Sequence, residues 1–320
     1  GNSYYDRELG KVVNCVEDPD ALPVGGKGEG RSFSRYNNKA VGDFLKDVYP
    51  KSKVISIAGK DRSAIMLAGN NPDLVLYYNN IDRFITSDFY SDSLPSFIDN
   101  FNNKLNLQSY RDSLWTKVFP DSLYLKHSRE DDFSGEIDWY RVQHDEINNK
   151  KIYSDEYEPT FPISFDKNHD PGQELMGTPW FDKVLIDLSK MIISEEEIGL
   201  DENPDIFFIG LSAMDYIIHN YGPFSQEAMD YFMRLDIQLD ELFKHIDNEI
   251  GLENVEFILT SDHGGLPLPE YLPRLNLSGG RINRENLNEA FSWIDDEISE
   301  QFDKNLYYRD WSNFYFFHEK

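Results

Sequence analysis

The run Ile206-Phe207-Phe208-Ile209-Gly210-Leu211 indicates the fold class, because a near-continuous apolar run is typical of a strand buried on both faces. Ser225 then begins a long amphipathic helix, which Gly251 ends. The next apolar run, Val255-Glu256-Phe257-Ile258-Leu259-Thr260, predicts a second strand. A strand, a helix and a strand at this spacing predict a βαβ unit, so we expect the two strands to be parallel neighbours.

The same grammar recurs elsewhere in the chain. Residues 38–49 predict a helix that Pro50 ends, residues 53–59 a strand, and residues 61–68 another helical segment. Helical spacing of apolar residues returns over 180–192. We therefore predict an α/β fold with a central, mostly parallel sheet that is flanked by helices.

Two stretches depart from this pattern. Asn, Asp, Ser, Tyr and Phe dominate residues 80–175, and connections of this length are usually functional caps or insertions. We predict a cap or lid insertion there, and a merely decorative insertion has equal weight. Residues 266–320 are predicted to begin a second insertion.

Composition limits the classes of partner. The 320 residues carry a formal net charge of −27, which argues against nucleic acid or an anionic membrane as the main partner. No apolar run approaches the roughly 20 residues of a membrane span. Cys15 is the single cysteine, so an intrachain disulfide and a cysteine-built zinc site are excluded. The oligomeric state is not predicted.

Asp215 and His219 lie just past the run at 206–211. If this segment is helical, the two positions share one face, and a carboxylate with an imidazole makes half of a zinc site. The pattern is weak by itself, because Asp-x-x-x-His arises by chance in most proteins. A helix-capping aspartate beside a solvated histidine is the ordinary alternative.

Asp262 and His263 directly follow the second predicted strand. Adjacent strand residues point to opposite faces, so both can serve one cleft only if the backbone turns, which Gly264 and Gly265 permit. The alternative is an aspartate-initiated turn with an uninvolved histidine.

The two pairs together strengthen the case for a metal site. Ligands bind at the carboxyl edge of open α/β sheets, and both pairs are predicted to lie there. Two aspartates and two histidines at one edge suggest a pair of cations, with zinc favoured by the imidazoles. Two-metal sites hold ions about 3.5–4 Å apart and clamp the entering and leaving oxygens of phosphoryl transfer.

Lys60 and Arg62 form a local cationic pair after the strand predicted at 53–59. The beginning of a helix carries partial positive charge, which favours acids such as Asp61. Two cations there are unfavourable unless they face an anion or a carboxylate. Arginine offers a bidentate fork to phosphate and lysine a point charge. Two solvated surface charges remain the alternative.

These residues and their flanks resemble the PafA-type zinc alkaline phosphatases, which are close to the nucleotide pyrophosphatase/phosphodiesterase branch of the alkaline phosphatase superfamily. The resemblance extends over essentially the whole chain and is weakest over residues 105–175. The segments that carry it, in the order of the family, are 1–7 (Gly-Asn-Ser-Tyr-Tyr-Asp-Arg), 60–65 (Lys-Asp-Arg-Ser-Ala-Ile), 177–180 (Gly-Thr-Pro-Trp), 212–223 (Ser-Ala-Met-Asp-Tyr-Ile-Ile-His-Asn-Tyr-Gly-Pro) and 260–264 (Thr-Ser-Asp-His-Gly).

The resemblance implies roles for seven residues. Asp215 and His219 resemble ligands of one zinc ion, and Asp262 and His263 resemble ligands of the other. Asn2 resembles the side chain that contacts a non-bridging phosphate oxygen. Lys60 and Arg62 resemble the pair that recognises the remaining oxygens, so the implied substrates are small-molecule phosphate monoesters.

The resemblance also implies a fragment. In the family the nucleophilic threonine and one zinc-binding aspartate lie before the segment that matches residue 1, and a further zinc-binding histidine lies after the segment that matches residue 320. Ser212, Thr260 and Ser261 do not align with the nucleophile. We therefore expect residues 1–320 to be a truncated alkaline-phosphatase-like catalytic domain that is inactive alone.

Two other functions stay open. A phosphodiesterase or nucleotide pyrophosphatase of the same branch keeps the four ligands but normally lacks the Lys-Asp-Arg pair. A catalytically silent zinc-binding fragment is the second alternative. The family implies export to the periplasm or the cell surface.

Overall fold

The computed structural model of this chain describes residues 2–136, 142–145, 150–153, 159–165, 170–280, 284–301, 307–309 and 315–317. The strands are β1 (Ser3–Asp6), β2 (Lys11–Asn14), β3 (Pro23–Val24), β4 (Val54–Ala58), β5 (Leu74–Tyr78), β6 (Phe84–Ser87), β7 (Leu114–Trp115), β8 (Val142–Asp145), β9 (Lys150–Tyr153), β10 (Ile163–Ser164), β11 (Ile206–Gly210), β12 (Tyr307–Arg309) and β13 (Tyr315–Phe317). The α-helices are α1 (Val41–Val48), α2 (Asp61–Ala68), α3 (Ser96–Lys104), α4 (Leu107–Arg111), α5 (Asp121–His127), α6 (Pro171–Leu175), α7 (Pro179–Glu195), α8 (Ala213–Tyr221), α9 (Gln226–Glu249) and α10 (Arg284–Gln301). Short 3₁₀ helices span Leu252–Asn254 and Pro269–Leu275.

A five-stranded sheet in the order β11-β4-β5-β6-β3 forms the centre of the fold. The strands β11, β4 and β5 are parallel, and β6 and β3 add antiparallel pairs at one edge. The sheet is therefore mixed, and the predicted α/β fold class is confirmed.

The central strands are buried because helices cover them. Every residue of β4 and of β5 is buried, as expected for parallel strands that are covered on both faces. Both α2 and α7 contact β4. Phe181 of α7 packs its ring against Tyr78 and Phe84 and is itself fully buried, which joins this helix to the sheet. Burying an aromatic side chain of this kind contributes about 2–3 kcal/mol.

The predicted helices are confirmed. The segments at 38–49 and 61–68 contain α1 and α2, and the segment at 180–192 lies within α7. Ser225 caps α9, because its hydroxyl accepts a hydrogen bond from the Ala228 N–H at 3.0 Å. Gly251 follows that helix with a φ of +84°, a conformation that glycine adopts without strain.

The predicted strand at 255–260 is wrong. These residues form no strand, and the predicted parallel neighbour of β11 is absent from the described residues, where β11 pairs with β4 alone. Ile258 is 83% and Leu259 90% exposed. An apolar segment becomes a strand only when a neighbouring strand satisfies its backbone groups and covers its side chains.

The chain divides into two compact units. One combines residues 1–15 with 269–320, and the other comprises Val16–Leu268. The insertions predicted at 80–175 and 266–320 stay predictions, and parts of both lie outside the described residues. No helix in the described part of the chain has the length and apolar character needed to cross a membrane.

Candidate metal and phosphate site

Asp215 and His219 lie one turn apart on α8, which begins just after β11 ends. The distance from His219 Nε2 to Asp215 Oδ1 is 3.4 Å, so the two side chains share a face, as predicted. The Asp215 side chain is 27% exposed and that of His219 is 64% exposed. Asp215 Oδ1 is buried and has no hydrogen-bond donor in the described part of the chain, so it can accept a cation.

Asp182 on α7 holds the start of α8 in place. Its fully buried carboxylate accepts the Ser212 N–H at 2.9 Å, the Ala213 N–H at 3.1 Å and the Tyr231 hydroxyl at 2.6 Å. These bonds satisfy N–H groups that the first turn of a helix leaves without partners. Burial raises the pKa of Asp182, and the three hydrogen bonds oppose that change.

Asp182 was not among the residues predicted from the sequence. A signal was available: the residue lies in line with Leu185 and Ser189 on the buried face of α7, where a carboxylate requires partners.

Lys60 and Arg62 lie at the beginning of α2, beyond the carboxyl end of β4. The Lys60 ammonium donates a hydrogen bond to Asp215 Oδ2 and also lies 4.9 Å from the centre of the Tyr216 ring. The Arg62 guanidinium lies 4.0 Å from Asp61 Oδ1, which accepts the Arg62 backbone N–H at 2.7 Å, and the Arg62 side chain is 28% exposed. Lys60 therefore faces the carboxylate that the sequence analysis had assigned to a metal.

The charge of Asp215 is stabilised by its neighbours. Burial favours the neutral carboxyl, but the hydrogen bond and charge of Lys60 outweigh burial, with help from His219 and His263, and lower the pKa of Asp215. Asp215 is thus an anionic side chain that two imidazoles and one ammonium already surround.

The second pair is less firmly placed. His263 Nε2 lies 4.0 Å from Asp215 Oδ1, whereas Asp262 contacts His263 at 3.5 Å and is 87% exposed. Gly264 and Gly265 do not have positive φ angles. Gly265 instead allows a close approach, because a Cβ there would lie 2.7 Å from the Ile218 Cδ1 atom of α8.

Asn2 belongs to the other compact unit, where its carbonyl accepts the Cys15 N–H at 3.0 Å. The phosphate contact expected of Asn2 stays a prediction. Within Val16–Leu268 the structure brings together Lys60, Asp215, His219 and His263.

The donor set fits zinc chemically. Two donors around a tetrahedral zinc ion with bonds of roughly 2.0–2.1 Å lie about 3.3 Å apart, close to the 3.4 Å between His219 Nε2 and Asp215 Oδ1. No group of three or more His, Cys, Asp or Glu residues among those described is already arranged to hold an ion. Zinc binding would therefore require a rearrangement of these side chains, and Asp215 Oδ1 is the oxygen that Lys60 leaves open to it.

Comparison with known proteins identifies the family. The type I phosphodiesterase / nucleotide pyrophosphatase family model matches residues 1–292. The chain is 29% identical over 271 residues to alkaline phosphatase PafA of Elizabethkingia meningoseptica, a match that covers 82% of this chain and 47% of that protein. It is also 29% identical over 287 residues to alkaline phosphatase PhoV of Synechococcus elongatus, a match that covers 88% of this chain and 49% of that protein.

A solved structure supports the same conclusion. The crystal structure of wild-type PafA superposes with a TM-score of 0.82 at 26% identity and covers 99% of this chain and 58% of that one. The chain spans about half the length of the curated relatives it matches. The fold, the family model and the relatives agree, and the chain belongs to the type I phosphodiesterase / nucleotide pyrophosphatase family, as a PafA-type member of the alkaline phosphatase superfamily.

Proposed function

We propose that the protein is a zinc-dependent phosphate monoester hydrolase, an alkaline phosphatase that acts on small-molecule phosphate esters. The observation that carries the proposal is the convergence of Lys60, Asp215, His219 and His263 at the carboxyl ends of β4 and β11. Ligands bind at this edge in open α/β sheets. The names of the PafA and PhoV relatives support the monoesterase activity.

In this proposal Asp215 and His219 would hold one zinc ion, and Asp262 and His263 would hold a second. Bound zinc supplies a Lewis acid that stabilises negative charge on phosphate oxygens. The residues of the chain contribute fixed ligands: Asp215 is kept anionic by its neighbours, and α8 presents His219 one turn further on.

Lys60, Arg62 and Asn2 are proposed to hold the phosphoryl oxygens. Phosphoryl transfer passes through a loose transition state with charge on those oxygens, so positioned cations are the main contribution a protein can make. Lys60 is already directed into the site, and Arg62 lies two residues further along α2 with its side chain partly exposed.

The attacking group is proposed to be a hydroxyl elsewhere in the protein, ahead of the segment that matches the family motif at residue 1. Ser212 does not serve, because its hydroxyl donates to the Gly210 carbonyl, accepts the Gly59 N–H and is buried. In a second displacement, water would attack the phosphoryl group held on this hydroxyl, so that inorganic phosphate leaves and the hydroxyl is regenerated. The protein is further proposed to be exported to the periplasm or the cell surface, as its family resemblance implies.

The deciding experiment compares kcat/KM for an aryl phosphate monoester and the matching diester, using the zinc-loaded protein in its full natural length. A strong monoester preference is expected. Arg62→Ala should reduce monoester turnover more than diester turnover, and Lys244→Ala, which removes an exposed cation near the end of α9, should change neither. A diester preference, or equal losses on both substrates, would reject the monoesterase and favour a phosphodiesterase or nucleotide pyrophosphatase.

Zinc binding, measured together with hydrolysis, distinguishes an active phosphatase from a catalytically silent zinc-binding protein. Calorimetric titration of the 1–320 chain should detect zinc, and Asp215→Ala and His263→Ala should weaken that binding by at least tenfold. Asp262→Ala or His263→Ala in the full-length protein should abolish hydrolysis. Zinc binding by a full-length protein that hydrolyses neither substrate would identify a catalytically silent module, and normal turnover by Asp262→Ala would reject the ligand assignment.

A further inference from the structure

A second group of ionisable side chains lies where residues 129–136 contact the junction between α8 and α9. The Arg129 N–H donates to the Phe224 carbonyl at 3.0 Å, and the Gln226 side-chain amide donates to the Arg129 carbonyl at 3.0 Å. The Arg129 guanidinium donates to the carbonyl of Tyr221, the last residue of α8. This segment is therefore attached to the helix that carries Asp215 and His219.

Three acids surround this attachment. Glu136 pairs with Arg129, and the two side chains are 0% and 2% exposed. Asp131 accepts the Lys117 ammonium and the Phe161 N–H, both at 3.3 Å, and Glu227 of α9 is fully buried. We call Asp131, Glu136 and Glu227 the carboxyl cluster.

The carboxyl cluster has more acceptors than donors. Asp131 Oδ1, Glu136 Oε2 and both oxygens of Glu227 are buried without a hydrogen-bond donor in the described part of the chain. A buried carboxylate oxygen without a donor is costly, and like charges close together add to that cost. Glu227 lies in the first turn of α9, where the helix dipole favours an anion, but that effect is small beside burial.

Among the described residues, the cations in direct contact with the carboxyl cluster are Arg129 and Lys117, which are fewer than its three acids. Lys117 is also shared with Asp121 at 3.0 Å. Asp230, the next acid along α9, is bonded to Arg234, Trp115 and Tyr124. The remaining charged neighbours on the segment, Glu130 and Asp132, are exposed.

We propose that the carboxyl cluster holds shared protons, and that these protons attach residues 129–136 to the α8–α9 junction. A protonated carboxyl donates a hydrogen bond to a neighbouring carboxylate, which turns a repulsive pair into an attractive one. A metal ion is the weaker explanation, because no group of three acids or histidines among the described residues is arranged to hold one. The proposal is independent of the phosphatase activity.

The ionisation equilibria agree with this assignment. Burial, with the charge of Asp131, raises the pKa of Glu136 to about 8, although Arg129 opposes the change. Burial, followed by the charge of Glu136, raises the pKa of Glu227 well above its ordinary value. Because folding raises these pKa values, the attachment is complete below the ordinary glutamate pKa and is lost as pH rises through about 8.

The test measures the thermal unfolding midpoint of the 1–320 chain from pH 6 to pH 9. We expect a fall of about 5 °C across this interval. Glu227→Gln, which mimics the protonated acid, should remove at least half of the fall, and Glu136→Gln provides a second variant if the first does not fold. The control Glu249→Gln, an exposed glutamate of the same helix, should follow the unmodified chain.

Hydrogen exchange gives the local measurement. After correction for intrinsic exchange rates, the amides of residues 129–136 should lose protection between pH 6.5 and pH 8.5, and those of β4 should not. A flat unfolding profile, or a Glu227→Gln profile as steep as the original, would overturn the proposal. So would 1 mM Ca²⁺ raising the midpoint at pH 8.5 in the unmodified chain and not in Glu227→Gln, since the cluster would then hold a cation.

Discussion

The two halves of the candidate site differ in how firmly the fold holds them. Asp215 and His219 project from α8, whose first N–H groups are bonded to the buried Asp182 and which follows a strand paired with β4. Asp262 and His263 follow an extended segment that pairs with no strand among the described residues, and they are 87% and 59% exposed.

A position after an apolar, strand-like segment is therefore not sufficient to orient a side chain. The apolar pattern is similar in both segments, but in the part of the chain that the structure describes only residues 206–210 pair with a neighbouring strand, β4. Strand pairing determines the direction of the residues that follow, and an unpaired segment leaves that direction to weaker contacts.

The largest expected effect concerns the firm half. Asp182→Ala should destabilise the 1–320 chain by about 3–5 kcal/mol, because two backbone N–H groups and the Tyr231 hydroxyl lose a buried charged acceptor. Urea unfolding measures this change. Asp201→Ala, which removes an exposed aspartate that also accepts a backbone N–H, should leave the free energy of unfolding nearly unchanged. Equal losses in the two variants would show that Asp182 does not anchor α8.

A matched isoleucine pair compares the strands themselves. Ile57 of β4 is fully buried opposite Ile209, whereas Ile258 is 83% exposed. Ile57→Ala should cost about 3 kcal/mol and Ile258→Ala less than 0.5 kcal/mol, although both remove the same atoms. Urea unfolding gives both free energies, and they can be compared directly if the two variants have equal m-values. A cost above 2 kcal/mol for Ile258→Ala would mean that residues 255–260 are covered in solution.

An aromatic pair is one contact that holds the loose half. The rings of Phe257 and Phe243 lie 4.6 Å apart, and both are partly exposed. Phe257→Ala should cost about 1 kcal/mol, and a double-mutant cycle with Phe243→Ala should return a coupling of about 0.5–1.5 kcal/mol. Leu259→Ala, at a 90% exposed position in the same segment, should show no coupling to Phe243. If the losses of stability for Phe257→Ala and Phe243→Ala were additive, the contact between the two rings would not hold residues 255–260 in place.

The smallest expected effect lies at the two glycines. A Cβ on Gly265 would lie 2.7 Å from the end of the Ile218 side chain, whereas one on Gly264 would meet nothing within 4 Å. Gly265→Ala should cost about 0.5–1 kcal/mol and weaken zinc binding severalfold, because His263 would shift away from Asp215. Gly264→Ala should leave both the stability and the zinc affinity unchanged within experimental error. Identical zinc affinities for the two variants would show that the contact with Ile218 does not position His263.

Much of the fold follows from local pattern. Helical periodicity predicted α1, α2, α7 and α9, and apolar runs predicted β4 and β11. Both signals are properties of consecutive residues, so they can be recognised in the sequence alone. Short motifs predicted four site residues: Lys60, Asp215, His219 and His263. In the structure the other three side chains all lie within 4.0 Å of the Asp215 carboxylate.

The missed features depend on contacts between distant residues. The segment 255–260 has the composition of a strand, but its pairing depends on which chain lies beside it. Asp182 joins positions about 30 and 49 residues apart in the sequence. The carboxyl cluster joins Glu136 to Glu227 across the α8–α9 junction, and nothing in either local sequence marks an acid that is buried without a donor.

The sequence by itself determined the α/β class, the helices and the residue types of the site, because these depend on hydrophobic period and short motifs. Only the tertiary structure decided that Lys60 faces Asp215, that β11 pairs with β4, and that the buried side chains of Glu136 and Glu227 belong to one group with the partly buried Asp131. The physical reason is that the ionisation and orientation of a side chain depend on the atoms that surround it, and folding brings those atoms from remote parts of the chain.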